Sequence, residues 1–103
     1  YKALRMLREY GHTPIPVNPG HDAIDGIPVV RRLDGVSAPV DTVTMYVGPE
    51  RGRALREEIA GLAPRRVIFN PGSEDPDTER FLRERGIEVV EGCTLVMLRS
   101  NTF

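Results

Sequence analysis

No run of about 18 apolar residues occurs in this chain, so no segment reads as a membrane-spanning helix. A basic excess is absent as well. Lys and Arg number 14 against 15 Asp and Glu, and the net charge of -1 removes any general pull toward nucleic acid or an anionic membrane. Cysteine is present once, which rules out an internal disulfide framework and is the pattern of a reducing, cytoplasmic setting. The histidines, His12 and His21, form no close pair with each other or with Cys93 at metal-ligand spacing, so no metal site is expected. Catalytic signatures are missing too. Ser37, Ser73 and Ser100 lie in no Gly-x-Ser-x-Gly elbow, and there is no Gly-x-x-x-x-Gly-Lys-Ser/Thr segment, so nothing supports a serine hydrolase or a nucleotide triphosphatase.

What the chain does contain is a repeated tripeptide. Asn18-Pro19-Gly20 follows Ile15-Pro16-Val17, and Asn70-Pro71-Gly72 follows Val67-Ile68-Phe69; each reads as a strand stopping abruptly in a tight loop. Proline fixes φ and glycine accepts positive φ, so either copy alone is simply a turn signal. In a parallel sheet, however, such loops open on the carboxyl edge, where open α/β folds collect their ligands. The pair together points to a nucleotide-type crevice.

With 103 residues, 40% apolar and 28% charged, the composition is that of one soluble globular domain, residues 1–103. Ala3, Leu4, Leu7 and Tyr10 recur at helical intervals, and Gly11 is a left-handed stop, which predicts an amphipathic helix of about ten residues. Thr13 to Val17 reads as a strand in which Pro14 and Pro16 remove two donors, suiting a position where not every amide must pair. The segment 20–40 is the least regular, with an extended piece near Ile24 to Val29 and one helical turn near Val30 to Leu33. From Asp41 the pattern is clean. Asp41 to Val47 is a strand; Gly48-Pro49 opens a helix with Leu55, Ile59 and Leu62 on one stripe; Arg65 to Asn70 is the next strand. A second helix is capped by Ser73 or Asp75, carries Pro76 in its first turn, buries Phe81 and Leu82 and stops at Gly86. Ile87 to Val90 is a further strand, followed at Gly92 by an apolar tail, Cys93 to Leu98. Alternating helix and strand predicts a parallel α/β sheet with helices on both faces.

A doubly wound sheet of this kind normally has a central strand before its first helix, and that strand's glycine-rich turn holds the phosphate. The sequence opens within or just before a helix, so we expect either a domain lacking its first strand and loop, with Thr13 to Val17 and Arg65 to Asn70 each facing an open gap, or a fold that closes differently without them; the former is favoured.

Taken in order, several features resemble one known family. They are the helix ending in Gly11-His12, the strand closing on Val17-Asn18-Pro19, the extended piece containing Gly26, the strand entry at Val40-Asp41, the glycine after Asn70-Pro71, and Gly92-Cys93. From Tyr1 to Phe103 the chain looks like the small CoA-binding proteins, single Rossmann-like domains similar to the CoA-binding domain of the succinyl-CoA synthetase alpha subunit. The resemblance implies a five-stranded, three-layer parallel Rossmann-like sheet with CoA or a related nucleotide in the carboxyl-edge crevice, and no catalytic residues. Position by position, it implies that Val17, Asn18 and Pro19, then Tyr46, Val47 and Gly48, then Asn70, Pro71, Gly72 and Glu74 line the ligand, and that Cys93 matches a cysteine common in the family's C-terminal segment. Two departures are plain. The family's phosphate loop would lie upstream of Tyr1, and Gly48-Pro49 stands where some members carry an arginine.

Elementary electrostatics sorts the remaining loops. A helix starting at Pro49 presents free amides and the positive end of its dipole to an anion, with Arg51 and Arg53 nearby and Glu50 opposing. Glu74, Asp75 and Asp77 would repel a phosphate and suit either helix capping or a ribose hydroxyl. Arg51, Arg53 and Arg56 interleave with Glu50, Glu57 and Glu58, the pattern of a solvated, ion-paired face. His12 reads as the partly exposed start of a strand, and His21, next to Gly20, can approach a ligand. Cys93, between Gly92 and an apolar run, reads first as a small core residue; if it faces the crevice it can pair with a ligand thiol. The expected function is therefore non-catalytic binding of CoA or an acyl-CoA by a cytoplasmic module, with self-association left open. Two other readings stand beside it. One is a dinucleotide-dependent enzyme or ligase-subunit fragment; the other is a protein-interaction module with a vestigial nucleotide site, associating through Leu95 to Phe103.

Overall fold

The computed structural model describes residues 2–18, 20, 23–24 and 26–103. Along the chain run α1 (Lys2–Glu9), β1 (Ala23–Ile24), β2 (Ile27–Pro28), a single 3-10 turn (Leu33–Gly35), β3 (Thr42–Met45), α2 (Pro49–Gly61), β4 (Arg66–Phe69), α3 (Pro76–Arg83), β5 (Glu88–Glu91) and α4 (Thr94–Arg99). Strands β3, β4 and β5 form a parallel sheet in that order, and β1 and β2 form a separate antiparallel hairpin. Helices flank the parallel sheet, as the alternation predicts, and the architecture is Rossmann-like α/β.

β4 is buried at all four positions, which is why it reads as an unbroken apolar run after Arg66. Successive side chains of a strand point to opposite faces. Val67 and Phe69 enter one core with Met45, Ile59, Leu82 and Ile87, beneath α2 and α3. Ile68, on the other face, is equally inaccessible. Each such side chain stabilises the fold by about 2 kcal/mol through burial.

The two helices over that core are fastened by arginines of α2. Arg53 grips Asp75 through Nε at 3.2 Å and a terminal nitrogen at 3.0 Å. The Phe81 ring is contacted by two guanidinium groups, Arg56 at 4.6 Å and Arg85 at 3.4 Å from its centroid. The charged face of α2 is solvated and carries an ion pair, as expected, with Arg51, Arg53, Glu57 and Glu58 exposed, but Arg53 and Arg56 find their partners across at α3, in Asp75 and Phe81. Asp75 is the N-cap, accepting from the Thr78 amide at 3.3 Å and the Thr78 hydroxyl at 2.6 Å, with Pro76 in the first turn. Its own N–H donates to Glu79 Oε2 at 3.1 Å.

Three expectations change. Thr13 to Val17 is not a ladder strand. It touches its neighbour at one parallel bridge, Val17 to Val30, where the Val30 amide donates to Pro16 O and the Asn18 amide to Val30 O. Pro14 and Pro16 have no N–H to continue it. Arg65 to Asn70 faces no gap, because β4 is the central strand with β3 and β5 on either side. The apolar tail, read from the sequence without a helix or strand, winds into α4, which packs against α1 and buries Leu98. Of the five parallel strands implied by the resemblance, the described residues form three and that single bridge. No helix among them is long and apolar enough to cross a membrane.

Candidate functional site

The three parallel strands end level. Met45, Phe69 and Glu91 are successive partners across the sheet, so the loops starting at Tyr46, Asn70 and Gly92 leave one edge in a row. The opposite edge is closed by charge. There Arg65 binds Asp41 through two nitrogens, at 3.0 and 3.2 Å, and Glu88 at 3.4 Å. The Arg65 guanidinium, then the Thr42 hydroxyl, hold the Asp41 carboxyl at about 2 rather than 3.8.

At the carboxyl edge Asn70 is the organising residue. Its side chain is almost wholly buried, Nδ2 donates to Met45 O at 3.0 Å, and Oδ1 accepts from the Thr94 amide at 2.8 Å. Its carbonyl oxygen takes both the amide and the hydroxyl of Ser73. One carboxamide therefore ties the end of β3 to the start of α4. Gly72, at φ +95°, turns the chain outward, and its amide donates to Glu74 Oε1 at 2.7 Å.

The first Asn-Pro-Gly is built differently. Asn18 Oδ1 accepts from the Gly20 amide at 2.8 Å, a closed local turn in a half-buried setting. Pro19 and His21 lie outside the described residues. The two turns share no hydrogen-bond partner among the described residues, so identical tripeptides serve here as one surface turn and one buried clamp.

Among the other predicted site residues, Tyr46 is 57% exposed and Val17 37%. Val47 packs against the main core, and Gly48 is the exposed N-cap of α2, with no side chain to satisfy the helix amides. Pro71, Gly72 and Glu74 are exposed, and Cys93 is half-buried at the N-cap of α4 rather than inside the core. Tyr46 to Gly48, Asn70 to Gly72, Glu74 and Cys93 thus belong to one edge. Arg53, expected near an anion at Pro49, is committed to Asp75, while Arg51 stays exposed. His12 is exposed, its ring 4.7 Å from Phe103, which in turn lies 4.7 Å from the Arg66 guanidinium.

Sequence reasoning missed Thr94. It is fully buried, and its Oγ1 has no hydrogen-bond partner. The usable signal was the spacing of Leu95 and Leu98 after Gly92-Cys93, which marks a helix starting at position 94. It also missed Glu79, buried beside Glu91. Burial, then the Glu91 carboxyl, push the Glu79 pKa upward against the pull of the Asp75 amide and Arg83. Among the described residues no group of three acidic, histidine or cysteine side chains is placed to hold a metal ion.

Two shallow depressions of about 350 Å³ lie elsewhere. One, between the 3-10 turn and the end of α2, carries Asp34 and Glu58, whose charges oppose a phosphate. The other lies between the end of α1 and β2, at Arg8, His12 and Gly26. Neither includes a predicted site residue.

A family model described as "CoA binding domain" matches residues 1–99. No curated protein matches the chain. Among solved structures, an uncharacterized protein is 43% identical, with a TM-score of 0.94 over 100% of this chain and 84% of its own. A Thermus thermophilus protein is 30% identical, with a TM-score of 0.90 over 100% of this chain and 78% of its own. A conserved hypothetical protein from Pyrococcus furiosus is 31% identical, with a TM-score of 0.81 over 90% and 81%.

Proposed function

This chain belongs to the CoA-binding domain family, and from that premise we propose that it binds coenzyme A or an acyl-CoA, without catalysing a reaction, along the carboxyl edge of β3, β4 and β5. The observation that carries the reading is the level ending of those strands, which sets Tyr46 to Gly48, Asn70 to Gly72 and Cys93 in one row. Crevices at this edge are where open α/β sheets take nucleotides. The exposed Tyr46 ring offers a face for a base or a pantetheine arm, and Gly48 and Gly72 let a ligand approach the backbone closely. Asn18, whose amide donates to Val30 O, completes the proposed ligand contacts together with Pro19, which lies outside the described residues. The ligand is a small molecule held by a cytoplasmic protein.

Calorimetric titration with CoA, with NAD and with buffer alone tests this. Heat with CoA and none with NAD is expected. Tight NAD binding with no CoA heat would replace the proposal with a dinucleotide-dependent enzyme. Absence of both would point to a protein-interaction module.

A further inference from the structure

The arginine with the greatest need of a counter-charge is one that has none. Arg32, Arg53, Arg65, Arg80 and Arg83 have side chains more than half exposed, and each meets a carboxylate at 2.7 to 3.8 Å. Arg66, at the start of β4, is 7% exposed and the only buried basic side chain among the described residues, yet no carboxylate there pairs with it. Its Nε donates to Thr42 Oγ1 at 3.3 Å, and its guanidinium carbon lies 4.7 Å from the centre of the Phe103 ring. Both terminal nitrogens are left without an acceptor. Asp41, whose carboxyl is held low by Arg65 first and by Arg66 last, already gives its oxygens to Arg65 at 3.0 and 3.2 Å and to the Thr42 hydroxyl at 2.7 Å. A guanidinium buried in this way is strongly destabilising unless something else supplies the negative charge. The group is not sealed in. Thr94 Oγ1 is the sole wholly buried side-chain nitrogen or oxygen without a partner among the described residues, so the terminal nitrogens of Arg66, which lack one too, keep contact with the surface. His12, its ring 4.7 Å from Phe103, lines with Arg8 a depression whose described lining holds no carboxylate. These surroundings favour an anion.

We propose that Arg66 is the base of an oxyanion-binding site at the amino edge of the sheet. It stands three residues, about 10 Å along β4, from Phe69, where the candidate CoA crevice opens, so the site is separate from that crevice and does not rest on the CoA reading. With Nε held by Thr42, the two terminal nitrogens are left to grip two oxygens of one phosphate or carboxylate group, the forked pairing that suits a guanidinium. The bound anion supplies the counter-charge that the described residues withhold.

Thermal unfolding of the full chain in sodium phosphate, sodium acetate and sodium chloride at matched ionic strength tests the site. Phosphate or acetate is expected to raise the midpoint by about 4 °C over chloride, and the anion giving the larger rise names the chemistry of the ligand. Arg66→Met removes the charge and keeps most of the side chain's length. It is expected to unfold at or above the wild-type midpoint in chloride and to gain nothing from phosphate or acetate. Arg65→Met, at the paired arginine next to it, is expected to lose stability and to keep the anion response. Proton–nitrogen correlation spectra of the wild-type chain need no variant: the effective anion should shift the amides of Thr42, Arg66 and Phe103 and leave those of Tyr46 and Gly72 in place. Equal midpoints in all three salts, or shifts confined to the carboxyl edge, overturn the proposal. So does an Arg66→Met chain several degrees less stable than wild type in chloride, which would show that Thr42 and Phe103 already satisfy the guanidinium.

Discussion

The carboxamide of Asn70 accepts the backbone N–H of Thr94 at 2.8 Å, joining the end of the central strand to the first residue of the last helix across 24 positions of sequence. Its other atom holds Met45 O, so a single buried side chain sets the spacing of the three loops that form the candidate site.

Asn70→Ala should therefore destabilise the protein by about 3 kcal/mol, because it leaves the buried Thr94 amide without an acceptor and removes one donor from Met45 O. Asn70→Asp keeps an acceptor for Thr94 but faces the Met45 carbonyl with a negative charge, and is expected to cost no less at pH 7. Urea midpoints measure both. A loss under about 0.5 kcal/mol for the alanine variant would show that the clamp carries no strain-free bond of consequence.

Acid should weaken the contact between α2 and α3. Arg53, then Thr78, hold the Asp75 carboxyl at about 2 against an ordinary 3.8. A folded-state pKa below the unfolded one gives stability that is present above the unfolded value and is lost as pH falls from about 3.8 through about 2. Arg53→Met raises the Asp75 value, so the difference in stability between pH 7 and pH 3 should shrink relative to wild type. Asp41 titrates in the same window but is untouched by this substitution, which isolates the Asp75 share.

Glu79 has the opposite sign. Burial and Glu91 raise its pKa above 4.5, so the folded state holds its proton more tightly than the unfolded chain, and stability is lost as pH rises through the folded value. Glu91→Gln removes the like charge and should raise the unfolding free energy measured in urea at neutral pH by roughly 0.5 kcal/mol, with a smaller gain at pH 4. Equal gains at both pH values would show that charge repulsion is not the cause.

For ligand binding, Asn18→Ala should weaken CoA affinity far more than Glu74→Ala. Asn18 shapes a turn proposed to contact the nucleotide, whereas Glu74 spends an oxygen on the Gly72 amide and carries a charge unfavourable to phosphate. Calorimetry on both variants measures this; equal losses would place the phosphates on the Glu74 side.

Much of the layout was legible from local pattern. Gly11 and Gly86, at φ +87° and +77°, stop α1 and α3 where the spacing placed their ends, and Asp75-Pro76 begins α3 as a cap followed by proline. Segments whose stability is tertiary were less legible. Thr13 to Val17 has strand-like residues, but whether an extended segment joins a ladder depends on a neighbour with matching free groups, and here only Val30 supplies them. The arginines of α2 look alike in sequence, yet Arg53 and Arg56 found an acid and an aromatic ring on another helix.

Sequence alone determined the α/β alternation, the helix ends and the strands leading into loops, because these follow from short-range periodicity and from the backbone preferences of glycine and proline. Only the tertiary structure decided that two identical Asn-Pro-Gly turns do different work. Asn70 is drawn inside, where a buried carboxamide must find partners and finds them on β3 and α4, while Asn18 stays near solvent and closes on its own loop.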